Sequence, residues 1–297
     1  MSDKAEKKSV SRRSFIGIAA GATVGATVLL SGAKKTVALL AGASGTGGPS
    51  GEALLMHNDL QRALQKPISE RKWVMVIDAR KCIGCHACTV ACIAENNLPP
   101  GVSYRTVAET EDGEYPSIKR FFMPTNCMQC GNPPCVEAAN KVIPGAMSKR
   151  PDGIVIIDYK KMKGPRVFEA AAQACPYPHS LSYDEGKNHT DGTPALQPYE
   201  KRLFREYGRN WNRKDTKDST RKCHFCTQRL DAGVLPACVT ACTGQAMHFG
   251  DLNDKESLVA NLLNKNKSTR LNLANGTEPS IFYLDDDPEQ TCMVCHS

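Results

Sequence analysis

The sequence predicts an α+β fold assembled from tandem, loop-rich units wound around clustered cysteines, and three observations predict it. Twelve of the 14 cysteines fall in four segments, and only two stand apart from them. A run of strand formers, Val74-Met75-Val76-Ile77-Asp78, returns 80 residues later as Ile154-Val155-Ile156-Ile157-Asp158, each time ahead of a loop with glycine at the same place, Gly84 and Gly164. Finally, 297 residues of 41% hydrophobic and 6% aromatic content can bury the core of one or two domains, which excludes wholesale disorder.

Taken in order, residues 1–43 read as an export segment. Ser11-Arg12-Arg13-Ser14-Phe15-Ile16 precedes a mildly apolar run, Gly17 to Gly32, in the manner of a twin-arginine signal. Ala41-Gly42-Ala43 offers a small-residue cleavage site. The alternative is a permanent anchor, since Phe15 to Gly32 spans 18 residues, near the lower limit for crossing a bilayer. Its many glycines weaken that reading, and no later stretch is long and apolar enough to span. The expected location is periplasmic and membrane-associated. Residues 44–72 form a flexible Gly/Ser linker followed by an amphipathic helix near Glu52 to Gln65, ended by Pro67.

The main domain is expected over 73–250, opening with a buried strand, Trp73 to Ile77. Cys82, Cys85, Cys88 and Cys92 follow in the C-x2-C-x2-C-x3-C run of bacterial two-cluster ferredoxins. Three thiolates on one loop can reach three irons of a cubane, while the fourth, on the next helix, points to a second cluster. Isolated C-x-x-C pairs serve zinc sites or redox disulfides, but four cysteines at this spacing favour iron and sulfur. Cys127, Cys130 and Cys135 form a second motif over 127–135 that has Ala139 where a fourth cysteine would stand. The third, at 162–175, is degenerate: Met162, Pro165 and Phe168 take the places of Cys82, Cys85 and Cys88. There the loop is expected to persist without ligands, and only Cys175-Pro176 remains of the motif. Cys223, Cys226, Cys238 and Cys242 make the fourth motif, at 223–242.

With these motifs the chain resembles the periplasmic four-cluster ferredoxin-like electron-transfer subunits of membrane-associated oxidoreductases, over roughly residues 70 to 284. The likeness includes Phe249-Gly250-Asp251-Leu252-Asn253-Asp254 and the stretch from Gly276 to Leu284. It implies tandem ferredoxin-like units in which the first motif pairs with the fourth and the second with the third. Cys82, Cys85, Cys88 and Cys242 would then hold one [4Fe-4S] cluster. Cys223, Cys226, Cys238 and Cys92 would hold a second, and Cys127, Cys130, Cys135 and Cys175 a third. The fourth site would need thiols at 139, 162, 165 and 168 and has none. Twelve cysteines dividing into three complete sets supports the pairing, because random decay would leave orphan ligands. Within the family, the leader, the lost cluster and the lack of a second membrane helix most resemble the iron-sulfur subunit of DsrMKJOP-type complexes of sulfur metabolism. Iron-sulfur subunits of molybdopterin oxidoreductases and hydrogenases share the motifs. The implied partners are an NrfD-like polytopic membrane subunit and a multihaem cytochrome c. The implied role is non-catalytic electron transfer, and the alternative is a scaffold whose clusters are structural.

Other features fit around this frame. The formal charge is +7, but the first 43 residues carry five lysines and two arginines against Asp3 and Glu6, which leaves +2 for the rest. Anionic clusters would turn that remainder negative, so charge makes no case for nucleic-acid binding. His86 and His224 lie inside cluster loops, yet each set already has four cysteines, so both are expected to pack beside the sulfurs. Residues 199–222 interleave Lys201, Arg202, Arg205, Arg209, Arg213, Lys214, Lys217, Arg221 and Lys222 with aromatic residues. They are expected to form a surface helix with a solvated basic face, or a docking surface for an acidic cytochrome or anionic lipid. A packing segment is expected at 251–284, then an acidic tail over 285–297. There Cys292, Cys295 and His296 form C-x-x-C-H, the attachment motif of a c-type haem with His296 as iron ligand. A C-terminal disulfide is the alternative.

Overall fold

The computed structural model describes residues 51–188, 191–192 and 216–284. Residues 1–43, expected as an export segment, most of the basic insertion and the tail with Cys292, Cys295 and His296 lie outside the described residues.

The core is organised by one strand. In β1 (Trp73–Asp78) all six residues are buried, so the strand is covered on both faces. Side chains alternate along a strand, and here Trp73, Met75 and Ile77 enter the main core while Val74 and Val76 enter a second, smaller one. β1 is central in a four-stranded sheet of order β8-β1-β10-β9. It pairs antiparallel with β8 (Met247–Asp251) and parallel with β10 (Ile281–Leu284), in the register Met75↔Phe249 and Met75↔Ile281. β9 (Ser268–Thr269) closes the edge beside β10.

Helices cover both faces. The predicted amphipathic helix is α1 (Gly51–Gln65), and its Met56, Leu60 and Ala63 recur at helical spacing and pack into the main core. The last helix of the described chain (Leu258–Lys265) lays Val259 on the opposite face, against Val74 and Val76. Its start is fixed twice: Ser257 Oγ accepts from the Ala260 N–H at 3.2 Å, and Asp59 of α1 accepts from the Leu258 N–H at 2.8 Å.

Three antiparallel pairs stand around this sheet. β2 (Arg105–Asp112) and β3 (Lys119–Asn126) form a hairpin, and β4 (Met147–Lys149) pairs with β5 (Val155–Ile157). β6 (Leu181–Asp184) pairs with β7 (Ser219–Lys222). The last pair corrects one expectation. Arg221 and Lys222 do not belong to a solvated basic face: on β7 they are 0% and 1% exposed. Arg221 meets Asp184 at 3.2 Å with both side chains fully buried, and its Nε donates to Tyr104 Oη at 2.7 Å. Basic residues in an exposed-looking run are thus drawn inside by specific acceptors. Among the described residues no helix is long and apolar enough to cross a membrane.

Candidate metal centres

The cysteines are delivered by short loops that precede helices. At the first motif Gly84 (φ +68°) and His86 (φ +57°) turn the chain left-handed, which wraps the loop before α2 (Ala87–Asn96) begins. The wrap is close: a Cβ on Gly84 would lie 2.4 Å from the Phe122 ring of the β2–β3 hairpin. Cys88 and Cys92 are one turn apart on α2 and face different groups of cysteines.

Cys82, Cys85, Cys88 and Cys242 line one small pocket. Cys92, Cys223, Cys226 and Cys238 line another. Cys175 packs against the apolar clusters that hold Cys130 and Cys135 and is in electrostatic reach of Cys127, which makes a third group. The groups are called sites 1, 2 and 3. Site 2 adjoins both of the others. It shares α2 with site 1, and Asn126, next to Cys127 of site 3, donates to Cys223 Sγ at 3.5 Å.

All twelve of these cysteines are free thiols. Burial pushes Cys130 and Cys175 up to about 12, and Cys135 and Cys223 up to about 11. Exposed Cys85 goes the other way, because the Ala87 N–H and then Thr243 bond to its sulfur. Without a metal the buried groups are neutral thiols, so loading them with metal must release protons. Among the described residues no three His, Cys, Asp or Glu side chains converge on a single ion, as zinc with its bonds of about 2.3 Å to sulfur would require. Four thiols on one pocket are the donor set of a cubane.

The strongest sign of an anionic occupant is cationic. Arg105 is 2% exposed, and its Nη2 reaches Asn126 Oδ1 at 2.6 Å and Met75 Sδ at 3.0 Å, both neutral. Its Nη1 is buried with no partner among the described residues. Lys222 Nζ has two backbone carbonyls, those of Val155 at 2.5 Å and Cys223 at 2.8 Å. Neither cation has a carboxylate partner among the described residues, whereas buried Arg221 has Asp184. A buried charge needs compensation. Arg105 faces Cys238, Cys88, Cys223 and Cys92, so clusters in sites 1 and 2 would supply it.

Donors also reach the sulfurs of site 2. Asn96 Nδ2 lies 3.6 Å from Cys92 Sγ and 3.9 Å from Cys226 Sγ, and the Phe225 N–H reaches Cys223 Sγ at 3.4 Å. At site 1 the Ala246 N–H donates to Cys242 Sγ at 3.2 Å. His224 lines site 2 but its Nδ1 accepts from the Thr227 N–H at 3.2 Å, and its ring stands edge-on to Tyr104. His86 is exposed at the rim of site 1. Sequence reasoning missed Arg105, Asn96 and Asn126, because nothing in their local spacing marks them.

Where a fourth site would lie, the chain is packed with hydrocarbon. Ala139 and Met162 are both 0% exposed in one apolar cluster with Val167 and Ala171. The expectation of a ligand-free loop is corrected here. Gly164 keeps its positive φ of +85°, but the helix Pro165–Ala174 begins at Pro165, so the place of Cys85 is the first turn of a helix. Phe168 leaves the site and packs on Tyr183, ring centroids 5.4 Å apart. Site 3 and this plug are joined by α3 (Pro134–Val142), which carries both Cys135 and Ala139. Met162→Ala should cost about 2–5 kcal/mol, measured by urea denaturation, with no loss of iron. A loss of iron would show that the methionine supports site 3 directly.

Residues 118–192 with 207–252, and separately residues 74–138, match models of the 4Fe-4S dicluster domain. The chain is 48% identical to the B subunit of selenate reductase from Mesobacillus selenatarsenatis over 77% of each chain. It is 36% identical to the arsenate respiratory reductase iron-sulfur subunit ArrB of Shewanella sp., over 71% of this chain and 94% of that one. It is 35% identical to the B subunit of tetrathionate reductase from Salmonella typhimurium, over 73% of each.

Proposed function

Because this chain belongs to the 4Fe-4S dicluster ferredoxin-like family of iron-sulfur electron-transfer subunits, we propose that it is the electron conduit of a respiratory reductase complex, holding three [4Fe-4S] clusters in sites 1, 2 and 3. The observation that carries the reading is the grouping of twelve free thiols into three sets of four around buried cations that have no acidic partner among the described residues. With clusters bound, site 1 would be the point of electron entry or exit, since Cys85 is exposed there, and site 2 would connect it to site 3. The protein's residues supply thiolates, sulfur hydrogen bonds and a dry surround. The clusters supply the one-electron chemistry.

The partners are a catalytic reductase subunit and an NrfD-like polytopic membrane subunit, with the chain exported through its twin-arginine segment and facing the periplasm. The relatives named above are, by their names, subunits of selenate, arsenate and tetrathionate reductases, so the proposed catalytic partner acts on an oxidised oxyanion. The choice thereby moves from the DsrO subunit of the DsrMKJOP complex, which the leader and the missing cluster suggest, towards a molybdopterin-type reductase. A multihaem cytochrome c co-purifying in place of such a catalytic subunit would reverse that choice. The tail residues Cys292, Cys295 and His296 would add one haem c.

Iron and acid-labile sulfide on anaerobically purified protein test the reading. Three cubanes predict about twelve sulfides per chain, with about twelve irons, or about thirteen if the tail carries haem. About eight sulfides would leave one site empty and overturn the three-cluster assignment.

A further inference from the structure

The position of Arg105 has a consequence for electron flow that rests on the cluster reading above. We propose that Arg105 is a redox-positioning residue: its guanidinium charge, buried between sites 1 and 2 without a carboxylate partner among the described residues, raises the reduction potentials of both clusters and leaves that of site 3 unmoved.

The geometry is specific. Arg105 opens β2 and is 2% exposed. It lines site 2 together with Cys92, Cys223, Cys226 and Cys238, and it also faces Cys88 of site 1. Its Nη2 is held by Asn126 at 2.6 Å and Met75 at 3.0 Å, which fixes the fork without neutralising it, and its Nη1 has no partner among the described residues. Asn126 holds two things at once, because its Nδ2 donates to Cys223 Sγ at 3.5 Å while its Oδ1 accepts from the arginine. The guanidinium is thereby placed by the same side chain that touches a site 2 sulfur.

A cluster that accepts one electron gains one negative charge, which comes from the partner subunit in the complex or from dithionite in a titration. A fixed positive charge in a low-dielectric surround stabilises that reduced form over the oxidised one. The cysteines of site 3 face Lys222 instead. A change at Arg105 therefore acts on two clusters of three.

The test is a potentiometric titration of the full-length, anaerobically purified protein, followed by electron paramagnetic resonance, with iron and sulfide measured on each sample. Arg105→Met should lower two of the three potentials by at least a tenfold change in the reduction equilibrium, about 59 mV for one electron, and leave the third unmoved. Arg105→Lys, which keeps the charge, should stay near wild type. Three unmoved potentials, or three that fall together, would overturn the proposal. If the methionine variant loses iron, the lysine variant decides: wild-type potentials support the role of charge, and lowered potentials at full iron content overturn it. Wild-type protein without iron or sulfide would instead overturn the cluster reading itself.

Discussion

Gly244→Ala is expected to cost the protein the cluster of site 1. A Cβ at this position would lie 2.3 Å from the carbonyl oxygen of Lys81, a contact no side-chain rotation can relieve because the obstacle is backbone. Lys81 directly precedes Cys82, and Gly244 follows Cys242 by two residues. The close approach of these two backbones is what sets the first and last cysteines of the group around one cavity. Pushing them apart removes the fourth thiolate from the set. Sulfide should fall from about twelve to about eight per chain, or the cluster should survive only as a three-iron remnant visible by electron paramagnetic resonance. Gly51→Ala, where an added Cβ meets nothing within 4 Å, is the control and should leave the content unchanged. Full iron and sulfide in Gly244→Ala would show that the Cys242 loop is not held by this contact.

The second large effect concerns site 2. The double substitution Cys223→Ala, Cys226→Ala should remove the central cluster and interrupt electron passage between sites 1 and 3. It also strips Arg105 of part of its compensation. Breaking a buried charge pair by deleting one partner costs about 3–5 kcal/mol, so the double variant should lose about that much in urea denaturation, beyond the loss of metal bonding. Adding Arg105→Met to this background should recover stability, which a cycle of single and combined variants measures. No recovery would mean that the arginine is balanced by something other than the cluster.

Much of this arrangement is legible in the sequence because ligand spacing is a local property. The cysteines at 82, 85, 88 and 92 must sit on a loop and a following helix, and β1 must be buried because its run of strand formers offers no polar face. The division into three groups rests on counting complete sets, and the structure places Cys82, Cys85, Cys88 and Cys242 on one pocket and Cys92, Cys223, Cys226 and Cys238 on another. What spacing does not carry is compensation across space. Lys222 looks like one more basic residue in a charged run, and only the convergence of β7 with β5 and the Cys127 loop shows it buried. Likewise Met162 and Phe168 look like equivalent losses of cysteine. One fills the old site at 0% exposure, while the other has moved to Tyr183 because the helix starts early.

The pairing of β1 with β10 and of Cys82 with Cys242 bears finally on how the protein comes into being. The central strand gains its parallel neighbour, and site 1 its last sulfur, only from segments near the far end of the described chain. Contacts so distant in sequence delay folding, since the loop between them must be closed before they give any return. The nascent N-terminal half on the ribosome therefore has neither a finished sheet nor a complete site 1 or 2. Cluster insertion at sites 1 and 2 waits until Cys242 has left the ribosome, and segments made late fasten those made early.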